Sequence, residues 1–275
     1  MDSWPLIPLG FVVGTYGTLI GAGGGFLLVP ALLLLFPTAR PTTITSISLA
    51  VVFFNAVSGS IAYARDRRID FRTGLIFAAA TVPGAVVGAV LVGYVPRALF
   101  DGLFGVVLMG LAGTVLLRHE PKAIEGAIGS GMVRRVLVDG TGRKYEYAFY
   151  QPLGIALSVG VGFVSSLLGI GGGIIHVPAL VLLLHFPAHI ATATSQLILA
   201  IMALAGTSVH LATGELAVGS GLIRSLFLAA GVIPGAQVGA LLSRRIKGPW
   251  LIRLLGFALI LVGIRLVVGL FLAPQ

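Results

Sequence analysis

Cysteine is absent from this 275-residue chain, and acidic residues number only nine. The first absence excludes disulfides, iron–sulfur clusters, cysteine-ligated zinc and a cysteine nucleophile. The second leaves little from which to build paired-acid catalysis or a buried cation site, because the few carboxylates fall almost entirely in loops. Neither HExxH nor GxSxG occurs, and no GK[ST] follows a glycine loop. We therefore expect no catalytic residue, no bound metal, no cofactor and no resident ATPase motor. Charge of either sign is sparse, at 10% of residues, where soluble domains carry about 25%. What fills the chain instead is apolar: 57% hydrophobic residues and a mean hydropathy of +1.06. A soluble core of this length cannot hide so much apolar surface.

The net charge of +9 is better explained by arginines at membrane borders than by nucleic acid. The opening Met-Asp-Ser-Trp-Pro carries no base, so no cleaved signal peptide is expected. A bilayer crossing takes about 20 helical residues. Residues 42–63, 74–95, 98–117, 190–213, 222–242 and 249–272 each suit one crossing. Residues 6–36 and 152–186 do not: both are too long for one straight span and too short for two. Each holds a glycine cluster near its middle and a proline soon after, Pro30 or Pro178. We read each as two half-helices, either a re-entrant hairpin or a pair of short tilted spans.

Those clusters repeat. Gly-Ala-Gly-Gly-Gly at 21–25 is answered by Gly-Ile-Gly-Gly-Gly at 169–173, and the twelve-residue windows around them share eight residues. Pro-Gly-Ala-Val-Val-Gly-Ala at 83–89 likewise matches Pro-Gly-Ala-Gln-Val-Gly-Ala at 234–240. Small residues four apart, Gly84/Gly88 and Gly235/Gly239, let helices approach closely. If both broken stretches return to their starting side, the 18 Lys and Arg divide 14 to 4, with Arg40, Arg97, Arg224 and Arg265 alone on one side. If every stretch crosses once, the division is only 12 to 6. The positive-inside rule favours the first arrangement, which also inverts one half relative to the other. The fold expected is thus all-α and integral to a membrane, with two inverted repeats, each beginning with a glycine-broken helix pair. Residues 1–117 form the first repeat, 118–150 a cytoplasmic connector, and 151–275 the second. Alternating residues about the Asp139-Gly-Thr-Gly142 turn predict a β-hairpin in the connector.

Paired breaks in matched helices point to a transporter's binding site. A half-helix N-terminus offers unpaired N–H groups and partial positive charge, so two together suit an anion. Gly23, Gly24 and Gly25 precede one such terminus and Gly171, Gly172 and Gly173 the other. Hydroxyl and amide donors follow: Thr45 and Ser46 in the first half, Thr194, Ser195 and Gln196 in the second, with Thr42, Thr43, Ser48 and Thr192 alongside. These donate to oxyanion oxygens without a buried permanent charge. Asn55, mid-span, serves equally as ligand contact or interhelical glue. His176, three residues after Gly173, and His210, opposite Tyr63 in the repeat, are candidates for proton coupling, His176 also for substrate contact. His185 and His189 are placed at the membrane edge, and Arg97 with Asp101 in an interfacial pair.

With these motifs in view, the chain resembles the TauE/SafE-type sulfite exporters. The likeness rests on the two GxGGG-x4-P segments, the Thr/Ser stretches after them, the P-G-A-x-x-G spans and the hairpin-bearing connector, and covers essentially the whole chain. It implies a bacterial or archaeal plasma-membrane carrier exporting sulfite, sulfonates or related small organic anions, with the lipid bilayer as its surroundings. An anion-selective channel stays as the alternative, because duplicated broken helices also build pores. Nucleic acid is not expected as a partner, and a homo-oligomer is compatible with the pattern.

Overall fold

A computed structural model describes residues 4–117, 131–216, 221–246, 250, 251, 253, 254 and 257. The last expected span, 249–272, lies almost wholly outside the described residues, as do 118–130 of the connector. The described chain is mostly helical, and five helices are long and apolar enough to cross a membrane. Both long stretches are broken as expected. The first gives α1 (Leu6–Leu19) and α2 (Gly25–Leu35). The second gives α6 (Gln151–Leu168) and α7 (Gly173–Pro178), after which Ala179–Leu183 widens to π geometry. Proline has no N–H to give the preceding turn; after Pro178 the ladder shifts, and Leu184 N–H reaches Ala179 O at 3.1 Å.

The unbroken helices are α3 (Pro41–Arg65), α4 (Phe71–Leu91), α5 (Arg97–Leu117), α8 (Ala188–Ala212) and α9 (Gly221–Ser243). The five of crossing length are α3, α4, α8 and α9 together with α6, which is therefore more than the half-helix expected. α3 and α8 have the same length and match at a sequence offset of 147. They run antiparallel: Arg40 at the start of α3 meets Glu215 past the end of α8, and Asp70 N–H, past the end of α3, meets Thr194 Oγ1 near the start of α8. At 25 residues each they are about 37 Å long. The small-residue spans pack across the halves. Gly231, Gly235 and Gly239 of α9 lie on the α1 backbone at Ile7, Phe11 and Thr15, and Gly84 and Gly88 of α4 lie on α6 at Val159 and Phe163. A side chain at any of them would strike main-chain atoms. Gln237 adds a polar clip, its Nε2 donating to Ser58 O and Oγ of α3 at 2.8 Å. Outward positions such as Leu75, Val87, Val106, Ile223 and Leu241 are exposed and apolar, the surface that lipid requires.

The connector contains the expected hairpin, β1 (Met132–Val138) and β2 (Lys144–Tyr150), antiparallel with Val138 opposite Lys144. The hairpin docks on one end of the helices. Gly140 N–H donates to Asp66 O at 2.8 Å, and Tyr147 OH donates to Asp70 Oδ2 at 2.9 Å. Tyr147 and Phe149 stack against Phe186, with centroids 4.5 and 4.9 Å away. Burial, and then the adjacent Asp70, raise the Tyr147 phenol pKa, so it remains a donor.

Within the turn, Asp139 is desolvated, which opposes its charge. Hydrogen bonds from Thr141 Oγ1, Thr141 N–H, Arg143 N–H and Tyr145 OH outweigh that and hold its carboxyl below the usual range. A depressed folded pKa contributes stability that is fully present above the unfolded value, about 3.9, and is lost as pH falls through the folded value. Turn protection in hydrogen exchange is therefore expected to be flat from pH 8 to 5 and to fall below about pH 4; Asp139→Asn should remove that acid step.

Both ends of each broken stretch lie at the same end of the molecule. α6 leaves the hairpin, where Gly154 packs on Phe77, and Phe186 returns to Phe149 beside it. α1 begins against the early turns of α9, and Phe36 closes its stretch under the Arg224 guanidinium of the same helix, 3.8 Å from the ring centre.

Candidate functional site

The two glycine breaks meet at mid-height. Val52, halfway along α3, touches the positions a Cβ would take at both Gly23 and Gly171. A Cβ on Gly25 would lie 2.7 Å from the carbonyl atoms of Ile170, and one on Gly173 would lie 2.6 Å from Ala22 Cα. The breaks thus cross with main chain against main chain. Gly24 and Gly172, which cap α2 and α7, have φ of 80° and 79°, a conformation glycine adopts without the strain a Cβ brings.

Intrahelical bonding begins late at each start. Leu27 and Leu28 N–H donate to Gly24 O, and Ile175 and His176 N–H donate to Gly172 O. Ahead of them, the N–H groups of Gly25, Phe26, Gly173 and Ile174 have no acceptor among the described residues, and all four residues are buried. Buried main-chain donors are almost always satisfied, by protein, water or ligand. Two such clusters are in contact here, each at the positive end of a helix dipole.

The polar candidates divide by what they touch. Ser195 Oγ donates to Gly21 O at 3.0 Å, and its counterpart Ser48 donates to Gly169 O at 2.6 Å. Thr192 and Thr45 pack on the same two glycines. These four hold the breaks in shape, and the Thr45 hydroxyl bonds back to Thr42 O. Ser46 bonds back to Thr43 O. Thr194 lies further from the breaks, its hydroxyl taken by Asp70 N–H at 3.1 Å. Asn55 Oδ1 accepts from Thr18 Oγ1, Tyr63 OH donates to Thr18 O, and Gln196 Nε2 reaches Gly17 O at 3.4 Å. This cluster satisfies Thr18 and Tyr63 but leaves Asn55 Nδ2 and Gln196 Oε1 buried and unpartnered.

The second half carries the matching positions without the matching bonds. Ser166 corresponds to Thr18 and His210 to Tyr63. Yet Ser165 Oγ, Ser166 Oγ, Thr207 Oγ1 and His210 Nε2 are all buried and unpartnered. Ser165 Oγ stands 2.9 Å from where a Gly172 Cβ would be, and Ser166 Oγ 3.1 Å from the same point on Gly206. Ser165, Ser166 and Thr207 had no place among the sequence candidates. The offset of 148 between the two glycine clusters carries Thr18 to Ser166 and is the signal that points there, while His210 is a sequence candidate already, as the counterpart of Tyr63. His176 Nε2 lies 3.3 Å from Ser158 Oγ, whose single hydrogen goes to Gly154 O at 2.7 Å. The imidazole therefore donates through Nε2, leaving buried Nδ1 as a bare acceptor.

The model for the TauE/SafE sulfite exporters matches residues 6–266. The chain belongs to the TauE/SafE sulfite exporter family. It is 32% identical over 268 residues to the probable membrane transporter protein YunE of Bacillus subtilis, covering 95% of this chain and 96% of that one. It is 28% identical over 207 residues to the probable membrane transporter protein MJ0441 of Methanocaldococcus jannaschii, covering 73% and 69%. The probable membrane transporter protein MamO of Paramagnetospirillum magneticum is 27% identical over 272 residues, which are 89% of this chain and 40% of MamO. No solved structure matches. The TauE/SafE chain described here is accordingly a multi-pass membrane transporter, of a family that is not a class of enzymes.

Proposed function

We propose that this transporter exports a small oxyanion, sulfite or an organosulfonate, bound where the two glycine breaks meet. The observation that carries the proposal is the contact between two helix starts whose first N–H groups are buried and unpaired. The unpartnered Ser165 hydroxyl beside Gly172 supports placing the anion towards the second break. No buried carboxylate opposes it there among the described residues. Two inverted repeats, with residues 118–150 as a cytoplasmic connector, are supported by the antiparallel run of α3 and α8. The clustering of Arg65, Arg67, Arg68, Arg72 and Arg244 at the hairpin end, away from Arg40, Arg97 and Arg224, supports the same orientation. Rocking one repeat against the other would expose the site alternately to the two sides. Export from a negative interior gains about 2.3 kcal/mol per charge per 100 mV. Where a proton is also carried, the bare Nδ1 of His176 is the acceptor we assign to it.

Reconstituted protein is expected to show saturable sulfite flux, with methanesulfonate and taurine competing more strongly than acetate. Ser165→Ala should raise the half-saturating concentration about ten- to hundredfold, the loss of one hydrogen bond to an ion. Gly102→Ala, whose added methyl meets nothing within 4 Å, should transport like the wild type. Non-saturating flux with large unitary currents would replace the carrier by a channel. Unchanged kinetics in Ser165→Ala would remove the second break from the site.

A further inference from the structure

Far from the glycine breaks, at the end of the molecule opposite the hairpin, lies a cavity of about 450 Å³. Its wall includes Arg40, Thr42, Gly93, Pro96, Arg97 and Glu215. It brings together the loop before α3, the turn between α4 and α5, and the segment after α8. Two guanidinium groups border it, in a part of the molecule with few bases. Each is held differently. Arg97 is fixed: its Nε donates to both oxygens of Asp101 at 3.0 and 2.9 Å, and Nη1 donates to Ala39 O at 2.8 Å. Arg40 makes one contact, from Nη2 to Glu215 Oε2 at 3.2 Å, and its side chain is 66% exposed. Glu215 is 23% exposed, and a single contact to so exposed an arginine contributes about 0–1 kcal/mol and exchanges readily. Beneath them, Thr42 Oγ1 is buried and unpartnered, at 7% residue exposure.

The repeat offset makes this arrangement informative. Pro187 occupies the position matching Arg40, and Arg68 the position matching Glu215. At that other end the protein fills the space itself, with the hairpin tip against Asp66 and with Tyr147 and Phe149 against Phe186. At this end no protein segment among the described residues takes the place of the hairpin. Thr42 lies ten residues before Val52 on α3, about 15 Å along the helix from the meeting of the breaks.

We infer that this cavity is a second anion-binding site, a vestibule in which a small oxyanion displaces Glu215 from Arg40 beside the fixed Arg97 guanidinium. The inference deepens the reading of the chain as an oxyanion exporter and rests on it for the class of ligand. Glu215 is the built-in competitor: it holds Arg40 when the vestibule has no anion and repels an anion when one arrives. The site is therefore weak by construction, as a release site for cargo must be.

The test is methanesulfonate binding to the purified full chain by titration calorimetry, beside sulfite flux in liposomes. Glu215→Gln should bind methanesulfonate about two- to fivefold more tightly, the change expected from removing an exposed competing pair. Arg40→Gln should weaken binding at least as much. Both positions lie away from the glycine breaks, so the same shifts should appear in a Gly172→Ala background. Identical affinities in wild type, Glu215→Gln and Arg40→Gln would overturn the vestibule, even if sulfite flux proves robust. The expected affinity shifts with no flux in any protein would leave the vestibule standing and overturn the exporter reading instead.

Discussion

Gly173→Ala is expected to yield no stable transporter, whereas Gly172→Ala, one residue away, folds and fails to carry its anion. The two glycines differ in what a methyl group would meet. At Gly173 it would strike the main chain of Gly21 and Ala22, and backbone in a crossing of two breaks has nowhere to move. Overlap of that kind belongs to the exceptional class of substitutions, costing on the order of 4 kcal/mol or more. At Gly172 the nearest atoms are Ser165 Oγ at 2.9 Å and Met202 Sδ at 3.1 Å, both on side chains that can rotate. The remaining cost there is the left-handed conformation at φ 79°, about 1–2 kcal/mol for a residue with a Cβ. Monodispersity and thermal unfolding in detergent separate the two outcomes. A folded Gly173→Ala protein with wild-type melting would show that the breaks do not touch as described. Gly24→Val is a poorer probe than Gly172→Ala, since a Cβ there would lie 2.8 Å from Val13 O as well as against its side chain.

Asp70→Ala should undock the hairpin and destabilise the whole hairpin end, by about 3–5 kcal/mol. Asp70 is buried and joins three elements. It caps α4 through Thr73 N–H at 3.1 Å and Thr73 Oγ1 at 2.6 Å, accepts from Tyr147 OH at 2.9 Å, and faces Arg135 Nε at 3.5 Å. Truncation leaves the phenol without its acceptor and the guanidinium, still donating to Thr73 Oγ1 at 3.3 Å, without its counter-charge in a partly buried site. Asp70→Asn keeps one carbonyl oxygen, for the cap or for Tyr147, while losing the charge facing Arg135, so its cost should be smaller. Thermal unfolding reads the magnitude, and protease cleavage between β1 and β2 reads the undocking. Equal melting of Asp70→Ala and wild type, with the hairpin still resistant, would mean that the apolar stack on Phe186 holds it alone.

Much of this architecture was legible in the residues because lipid narrows the choices. Length and apolar runs gave α3, α4, α5, α8 and α9 within a few residues, and the doubled GxGGG placed both breaks. Alternation about Asp139 and Gly140 gave the hairpin, whose β2 ends at Tyr150 with Tyr147 and Phe149 packed on Phe186. The change to π geometry after Pro178 was not legible, since Pro30 sits in the matching position of a regular α2. Side-chain roles were harder still. Ser46 and Thr194 read as donors like their neighbours, but a hydroxyl's partner depends on its helix face and on what packs there. Ser46 bonds its own helix, and Thr194 steadies the loop at Asp70. Ser165 and Ser166 precede the glycine motif on α6, so attention to residues after the break passed them by. Their significance comes from the contrast with Gly17 and Thr18 in the first half, which only the packed structure reveals.

The central claim, an oxyanion seated between the two helix starts, is tested most directly with selenite, an electron-dense analogue of sulfite with the same shape and charge. Anomalous diffraction from selenite-soaked crystals should place selenium with its oxygens at hydrogen-bond distance, about 3 Å, from the N–H groups of Gly25, Phe26, Gly173 or Ile174. The same peak should weaken in crystals of Gly172→Ala. A peak confined to another part of the protein, in a preparation that transports selenite saturably, would contradict the account.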